Sequence, residues 1–190
     1  MKAVLLVYFV LTATLSYTQT PDPEKNTMSA DSFLVLMEKK NSDFINRPFP
    51  HFSVSANNKE CSNETLKGKV VFINFWFAAC PPCMAEMDEL NILFDKFHRY
   101  KNFEFVSFTF EKPKKIALIK KKFKIVYAIY SITRDECYRL NNNNGFPTSI
   151  ILDSAGIVGY VHPGDQLNKQ EIKRYFNSKV YPLLSKELRP

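Results

Sequence analysis

Cysteine is scarce in this chain: its 190 residues carry four, too few for a fold held together by disulfides. Metal-ligand spacing is missing as well. No second C-x-x-C and no H-x-H element accompanies Cys80 and Cys83, and His51, His98 and His162 are scattered, so a zinc site has nothing to complete it. The N-terminal apolar run, Ala3 to Leu11, falls short of the roughly 20 residues that a membrane-spanning helix needs. There is no internal repeat, and the one biased segment is the asparagine run Asn141 to Asn144. Aromatic residues do not interleave with the lysines as a platform for stacked bases requires, which sets nucleic acid aside as a partner. What is present is globular: 45% hydrophobic residues, 17 Phe and 9 Tyr give enough apolar bulk for a core without structural disulfides. The length suits one domain with short extensions.

The net charge of +7 is concentrated between Lys112 and Lys124. Ile116, Leu118, Ile119 and Phe123 recur within that stretch at helical spacing, predicting an amphipathic helix with a solvated basic face. An acidic protein or an anionic membrane surface is the functional alternative for that face. At the N-terminus, Lys2, the apolar run and the small and polar residues Thr12 to Thr20 have the layout of a secretory signal. Ser16 and Thr18 are acceptable small residues before a cut ahead of Gln19, although no A-x-A site is present. The expected organisation is a signal over 1–18, a linker and short helical extension over 19–46, and the main domain over 47–186. No cysteine precedes Cys61, so this reading contains no lipid-modified N-terminal cysteine. It places the protein outside the cytoplasm, in the periplasm or an equivalent space where disulfides persist. The protein stays at the membrane if the signal is not cut.

Along the chain, Asp31 to Lys40 is expected to form a short helix burying Phe33, Leu34, Leu36 and Met37. Pro48 and Pro50 mark a break. Lys69 to Phe77 is a continuous β-branched and aromatic run, read as a strand buried on both faces. Pro81 to Tyr100 follows as a helix with Met87, Leu90, Phe94 and Phe97 as its apolar stripe. Phe103 to Phe110 is a strand, then comes the lysine-rich helix, a strand at Ile125 to Tyr130 and a short helix at Arg134 to Leu140. Thr148 to Leu152 and Ile157 to His162 make a hairpin through Asp153 to Gly156. A last helix runs from Leu167 to about Leu184. This alternation predicts an α/β fold with helices on both faces of a central sheet.

Cys80 falls where the central strand ends and a helix begins. A thiol of pKa about 8.5 is largely protonated at neutral pH, whereas a helix N-terminus supplies free N–H groups and the positive end of the dipole. Pro81 suits the first turn, where the missing N–H costs nothing. Cys83 lies one turn later on the same face, so a redox disulfide between Cys80 and Cys83 needs little backbone movement. Cys80 is expected to be the exposed, attacking thiol and Cys83 the buried one. Cys61 and Cys137 stand outside this pair, as buried free thiols or a second disulfide.

Three stretches taken together, Asn74-Phe75-Trp76-Phe77-Ala78-Ala79-Cys80-Pro81-Pro82-Cys83-Met84-Ala85-Glu86-Met87, Gly68-Lys69 before it and Gly145 to Gly156 after it, resemble the TlpA/ResA-like branch of the thioredoxin superfamily. The resemblance covers about Arg47 to Leu184. It implies a thioredoxin-like fold with a central mixed sheet, and an exported enzyme that reduces protein disulfides, often in cytochrome c maturation. It also implies Cys80 as nucleophile, Cys83 as resolving thiol, Pro147 as a cis-proline turning the backbone toward an extended substrate, and Glu86 as the acid beside the pair. A solvent-facing helix glutamate is the alternative for Glu86. Trp76, Pro81, Pro82, Phe146 and Thr148 flank these motifs as candidate substrate contacts. No metal or cofactor enters. The partners are a disulfide-containing protein and an upstream dithiol donor, such as a membrane thiol transporter, acting on a monomer.

The chain departs from that branch at Asp88, where proline is common, and at Phe77-Ala78-Ala79, which replaces a small-x-Trp lead-in and removes an aromatic from the site rim. A peroxide-reactive cysteine would need a P-x-x-x-T-x-x-C setting, which is absent. A copper chaperone of the same fold favours C-x-x-x-C with a presented histidine, for which His162 is the one plausible donor. A binding module without turnover has no need of both cysteines.

Overall fold

A computed structural model describes residues 29–56, 59–164 and 168–189. The signal expected over 1–18 lies outside them. The chain runs α1 (Ala30–Phe44), β1 (Ser53–Ala56), β2 (Lys59–Ser62), α2 (Asn63–Leu66), β3 (Val70–Trp76), α3 (Pro81–Phe97), β4 (Phe103–Thr109) and α4 (Pro113–Phe123). It continues through β5 (Ile129–Ser131), α5 (Arg134–Leu140), β6 (Thr148–Leu152), β7 (Val158–Pro163), α6 (Lys169–Tyr175), a π-helical stretch Phe176–Val180 and α7 (Tyr181–Glu187).

Five strands form one mixed sheet in the order β5-β4-β3-β6-β7. β3 pairs in parallel with β4 and antiparallel with β6. Side chains alternate along β3. Val70, Phe72 and Trp76 enter one apolar cluster with Leu90 and Leu93 of α3, Ile172 of α6 and Leu184 of α7. Val71, Ile73 and Phe75 enter the other, with Phe44 of α1, Leu66 of α2 and Leu140 of α5. Helices therefore cover both faces, and every residue of β3 is buried, as a continuous apolar run requires.

Several boundaries differ from the sequence reading. The helix expected over 31–40 extends from Ala30 to Phe44, started by Ser29, whose Oγ accepts from the Ser32 N–H at 3.1 Å. Leu34 and Leu36, expected to be buried, are 59% and 53% exposed. The helix docks by its far end instead. Phe44 enters the core, the Asn144 side-chain amide donates to Asn41 Oδ1 at 2.8 Å, and the Lys40 ammonium donates to the Asn143 carbonyl at 3.0 Å. The strand expected at Ile125 to Tyr130 narrows to Ile129–Ser131, because pairing with β4 starts only at Ser107 opposite Ile129. The β1–β2 hairpin and α2 lie in a stretch whose prolines and polar residues carry no clear periodicity. The final helix begins, among the described residues, at Lys169.

Leu90 and Leu34 separate core from surface. Leu90→Ala should cost about 2–5 kcal/mol in urea unfolding, as fully buried leucines do, and Leu34→Ala should stay within about 0.5 kcal/mol. A Leu34→Ala loss matching that of Leu90→Ala would contradict the packing of α1.

Candidate functional site

Three segments converge at the C-terminal end of β3. The first is the loop Phe77 to Ala79, pinned across to the β4–α4 connection by the Ala78 N–H donating to Glu111 Oε1 at 2.8 Å. Cys80 follows as the N-cap of α3, in extended backbone, and its Sγ accepts from the Cys83 N–H at 3.2 Å. Pro81 and Pro82 occupy the first turn, where neither removes a needed donor. Cys80 and Cys83 are joined as a disulfide with Cα atoms 5.3 Å apart. A sulfur placed this way sits at the positive end of a four-turn dipole, beside a backbone donor that favours a thiolate over a thiol. Cys83 is 0% exposed and Cys80 only 3%. Cys80, expected to be exposed, is therefore buried along with Cys83 in the disulfide form, because Phe77, Ala78 and Phe146 pack around the same cluster.

Glu86 follows Cys83 by one helical turn. It faces inward, 7% exposed, so the solvent-facing alternative does not hold. Its Oε1 accepts from the Asn74 side-chain amide at 2.8 Å, and burial pushes its carboxyl up to about 8, the Asn74 bond opposing that rise only in part. Asn74 is the one polar residue within β3, and its Oδ1 has no hydrogen-bond partner among the described residues.

The third segment is the loop Gly145–Pro147 ahead of β6, where the Phe146–Pro147 peptide is cis. The Gly164 N–H donates to the Pro147 carbonyl at 2.9 Å. A Cβ on Gly164 would lie 2.8 Å from Pro147 Cγ and 3.6 Å from Glu86 Oε2. Pro147 and Glu86 therefore border the same small space, and only glycine leaves room there. No sequence signal marked Gly164 or Glu111.

The candidate contacts divide. Pro81 is exposed, while Pro82 and Phe146 are half-buried beside the disulfide. Trp76 and Thr148 are fully buried and do not reach the surface. Trp76 Nε1 donates to Ser107 Oγ at 2.8 Å, and Thr148 Oγ1 donates to the Gly145 carbonyl at 2.9 Å. Both are framework: an indole N–H in a core needs a partner, and the hydroxyl braces the loop before Pro147. Cys61 and Cys137 are buried and unpaired with each other. Burial, reinforced by Glu104 and Glu136 respectively, lifts their thiols to about 11 and about 12, so neither forms thiolate near neutral pH. Among the described residues no three His, Cys, Asp or Glu side chains gather as a metal would require.

The sequence profile of the Redoxin family matches residues 45–177. The chain is 29% identical over 143 residues to the thiol-disulfide oxidoreductase ResA of Bacillus thuringiensis strain Al Hakam, covering 73% of this chain and 79% of that one. It is 27% identical over 113 residues to ResA of Geobacillus kaustophilus, covering 59% of this chain and 64% of the relative, just under two thirds of its length. Among solved structures, a thiol:disulfide interchange protein of the thioredoxin family from Chlorobium tepidum TLS matches with a TM-score of 0.58 at 27% identity, over 76% of this chain and 97% of that one. StoA from Bacillus subtilis shares the fold with a TM-score of 0.52 at 20% identity, over 68% of this chain and 98% of its own.

The buried carboxyl has a consequence for stability. Folding raises Glu86 from an ordinary 4.5 to about 8, so the native state keeps a proton that the unfolded chain releases. Its contribution is fully present below about 4.5 and is lost as pH rises toward about 8. Urea unfolding of the oxidised protein and of Glu86→Gln from pH 5 to 9 should show the variant gaining on the wild type by a few kcal/mol across that window. A gap that stays constant with pH would contradict the placement of Glu86.

Proposed function

The chain belongs to the Redoxin family, and from that premise we propose that it is an exported thiol–disulfide oxidoreductase that reduces protein disulfides through Cys80 and Cys83. The observation carrying this reading is a disulfide-forming pair at the start of a long helix, with a buried carboxyl one turn behind it. In the reduced protein, the Cys80 thiolate attacks one sulfur of the substrate disulfide. A mixed disulfide forms and the first substrate thiolate leaves. Cys83 then loses its proton and attacks Cys80 Sγ, which forms the Cys80–Cys83 bond and expels the second substrate thiolate. Two electrons pass to the substrate and two protons follow. Glu86 takes the Cys83 proton and returns one when an upstream dithiol reduces the pair again.

Pro81, Pro82, Phe146 and Pro147 line the approach to the disulfide, and the backbone ahead of Pro147 pairs with an extended substrate segment. The apolar run after Lys2 supports export to the periplasm or its equivalent, where a membrane thiol transporter is the donor that fits. Cytochrome c maturation is the task that the TlpA/ResA resemblance suggests, performed by a monomer.

Cys80→Ser should abolish turnover with a thiol donor and a protein disulfide. Cys83→Ser should retain attack and accumulate a mixed disulfide through Cys80, visible as a stable adduct by non-reducing mass spectrometry. Full activity in Cys80→Ser with loss in Cys83→Ser would reverse the assigned order.

A further inference from the structure

Four consecutive asparagines, Asn141 to Asn144, follow α5 and lead into the loop Gly145–Pro147. Asn141 is fully buried and Asn144 is 9% exposed, an unusual place for two amides unless their hydrogen bonds are used. The Asn141 side chain donates to the Gly145 carbonyl at 2.7 Å, and that carbonyl also accepts from Thr148 Oγ1 at 2.9 Å. Asn141 Oδ1 accepts from the Asn144 N–H at 3.2 Å. Two side chains thus hold Gly145, one residue before Phe146. The backbone of Asn142 and Asn143 is left-handed, with φ of 56° and 53°, a conformation that asparagine tolerates better than most residues with a side chain.

The same run is joined to α1. The Asn144 side-chain nitrogen donates to Asn41 Oδ1 at 2.8 Å and to the Asn141 carbonyl at 2.9 Å. A backbone carbonyl can only accept, so it fixes which end of the Asn144 amide faces α1, and Asn41 must answer with its oxygen. The Lys40 ammonium donates to the Asn143 carbonyl at 3.0 Å, and the Asn142 amide donates to the Lys40 carbonyl at 3.3 Å. Three links therefore tie the second half of α1 to this run, two of them between residues 103 apart in the chain. Phe44 seats the end of α1 in the core, so the run is bonded to a fixed support.

We propose that Asn41, Asn141 and Asn144 are positioning residues for polypeptide substrates. Helix α1 holds the asparagine run, and the run holds the Gly145 carbonyl, so that the backbone ahead of Pro147 meets an extended chain in one conformation. This role rests on the exchange reading above and makes α1 a part of the working enzyme rather than a connecting extension. A loop released from α1 samples other positions, and binding then weakens by the fraction of molecules left in the competent one. Saturating polypeptide restores that fraction, so the maximal rate is kept while the half-saturating concentration rises. Bracing that served only the fold has the opposite signature: fewer folded molecules, and so a lower maximal rate at the same half-saturation.

The test follows single-turnover oxidation of the prereduced protein by a synthetic extended peptide closed with one disulfide, over a range of peptide concentrations. Asn41→Leu removes the acceptor from α1 with little change of volume, whereas Asn41→Asp keeps an oxygen there. Asn41→Leu should raise the half-saturating concentration about fivefold, the scale of one lost hydrogen bond, with a maximal rate within about twofold of wild type. Asn41→Asp should bring half-saturation back to within about twofold of wild type. Asn142→Gly suits the left-handed backbone and removes the link to Lys40, and should shift half-saturation in the same direction as Asn41→Leu. At low concentration the rate with the peptide, divided by the rate with glutathione disulfide in the same preparation, should fall by the same factor, because glutathione disulfide has no extended segment to pair with the loop. Half-saturation unchanged in both Asn41→Leu and Asn142→Gly, a fall in maximal rate alone, or an Asn41→Asp variant as impaired as Asn41→Leu would overturn the positioning role while leaving exchange intact. A wild type oxidised by neither the peptide nor glutathione disulfide would overturn the exchange reading, and the positioning role with it.

Discussion

Strand β3 is sandwiched between two apolar layers, and that constraint decides where each part of the site can go. With both faces covered, side chains along the strand have no route to water except at its end. The candidate site therefore collects at the C-terminal end, where the chain turns through Phe77 to Ala79 and Cys80 starts α3. The cap, the two prolines and the backbone donor from Cys83 all follow from that one junction. Binding at the carboxyl ends of the central strands is the general outcome for sheets covered by helices. Here the parallel neighbour β4 brings Glu111 and Phe110 to the same end, and the antiparallel neighbour β6 brings Phe146 and Pro147.

Burial acts differently on the ionisable groups of this molecule, and the contrast sets the surroundings of Cys80 and Cys83 apart from those of the other two cysteines. Cys61 and Cys137 are enclosed, and the carboxylates of Glu104 and Glu136 reinforce that burial, so their thiols rise and stay protonated. Glu86 is enclosed too, but beside an amide that donates to it and one helical turn after Cys83. A carboxyl poised near neutral pH exchanges protons readily in both directions. The same desolvation that keeps two thiols protonated thus brings one carboxyl up to about 8, the range the proposed proton transfer requires.

Much of this was legible in the sequence. The apolar run of β3 and the Cys80-Pro81-Pro82-Cys83 spacing identify the strand, the helix and the reactive pair from physical chemistry alone. Glu86 was legible only through the family resemblance, since a glutamate one turn into a helix ordinarily faces water. Trp76 and Thr148 were misread as contacts because sequence distance to a motif does not tell whether a neighbouring strand covers a side chain. Leu34 and Leu36 were misread because apolar periodicity cannot show that a helix docks by its last turn. The meeting of Phe77, Phe110, Tyr138 and Phe146 was invisible for a further reason: they lie on four separate segments and come together only once the sheet order is known.

The central claim is that Glu86 accepts the Cys83 proton as the mixed disulfide is resolved. Rapid-quench measurement of that intermediate across pH 6 to 9 tests it directly, in wild type and in Glu86→Gln. The account predicts that the intermediate forms at a similar rate in both, then persists in Glu86→Gln, and that its decay loses the wild-type pH dependence. Decay in the variant as fast as in the wild type at every pH would contradict it.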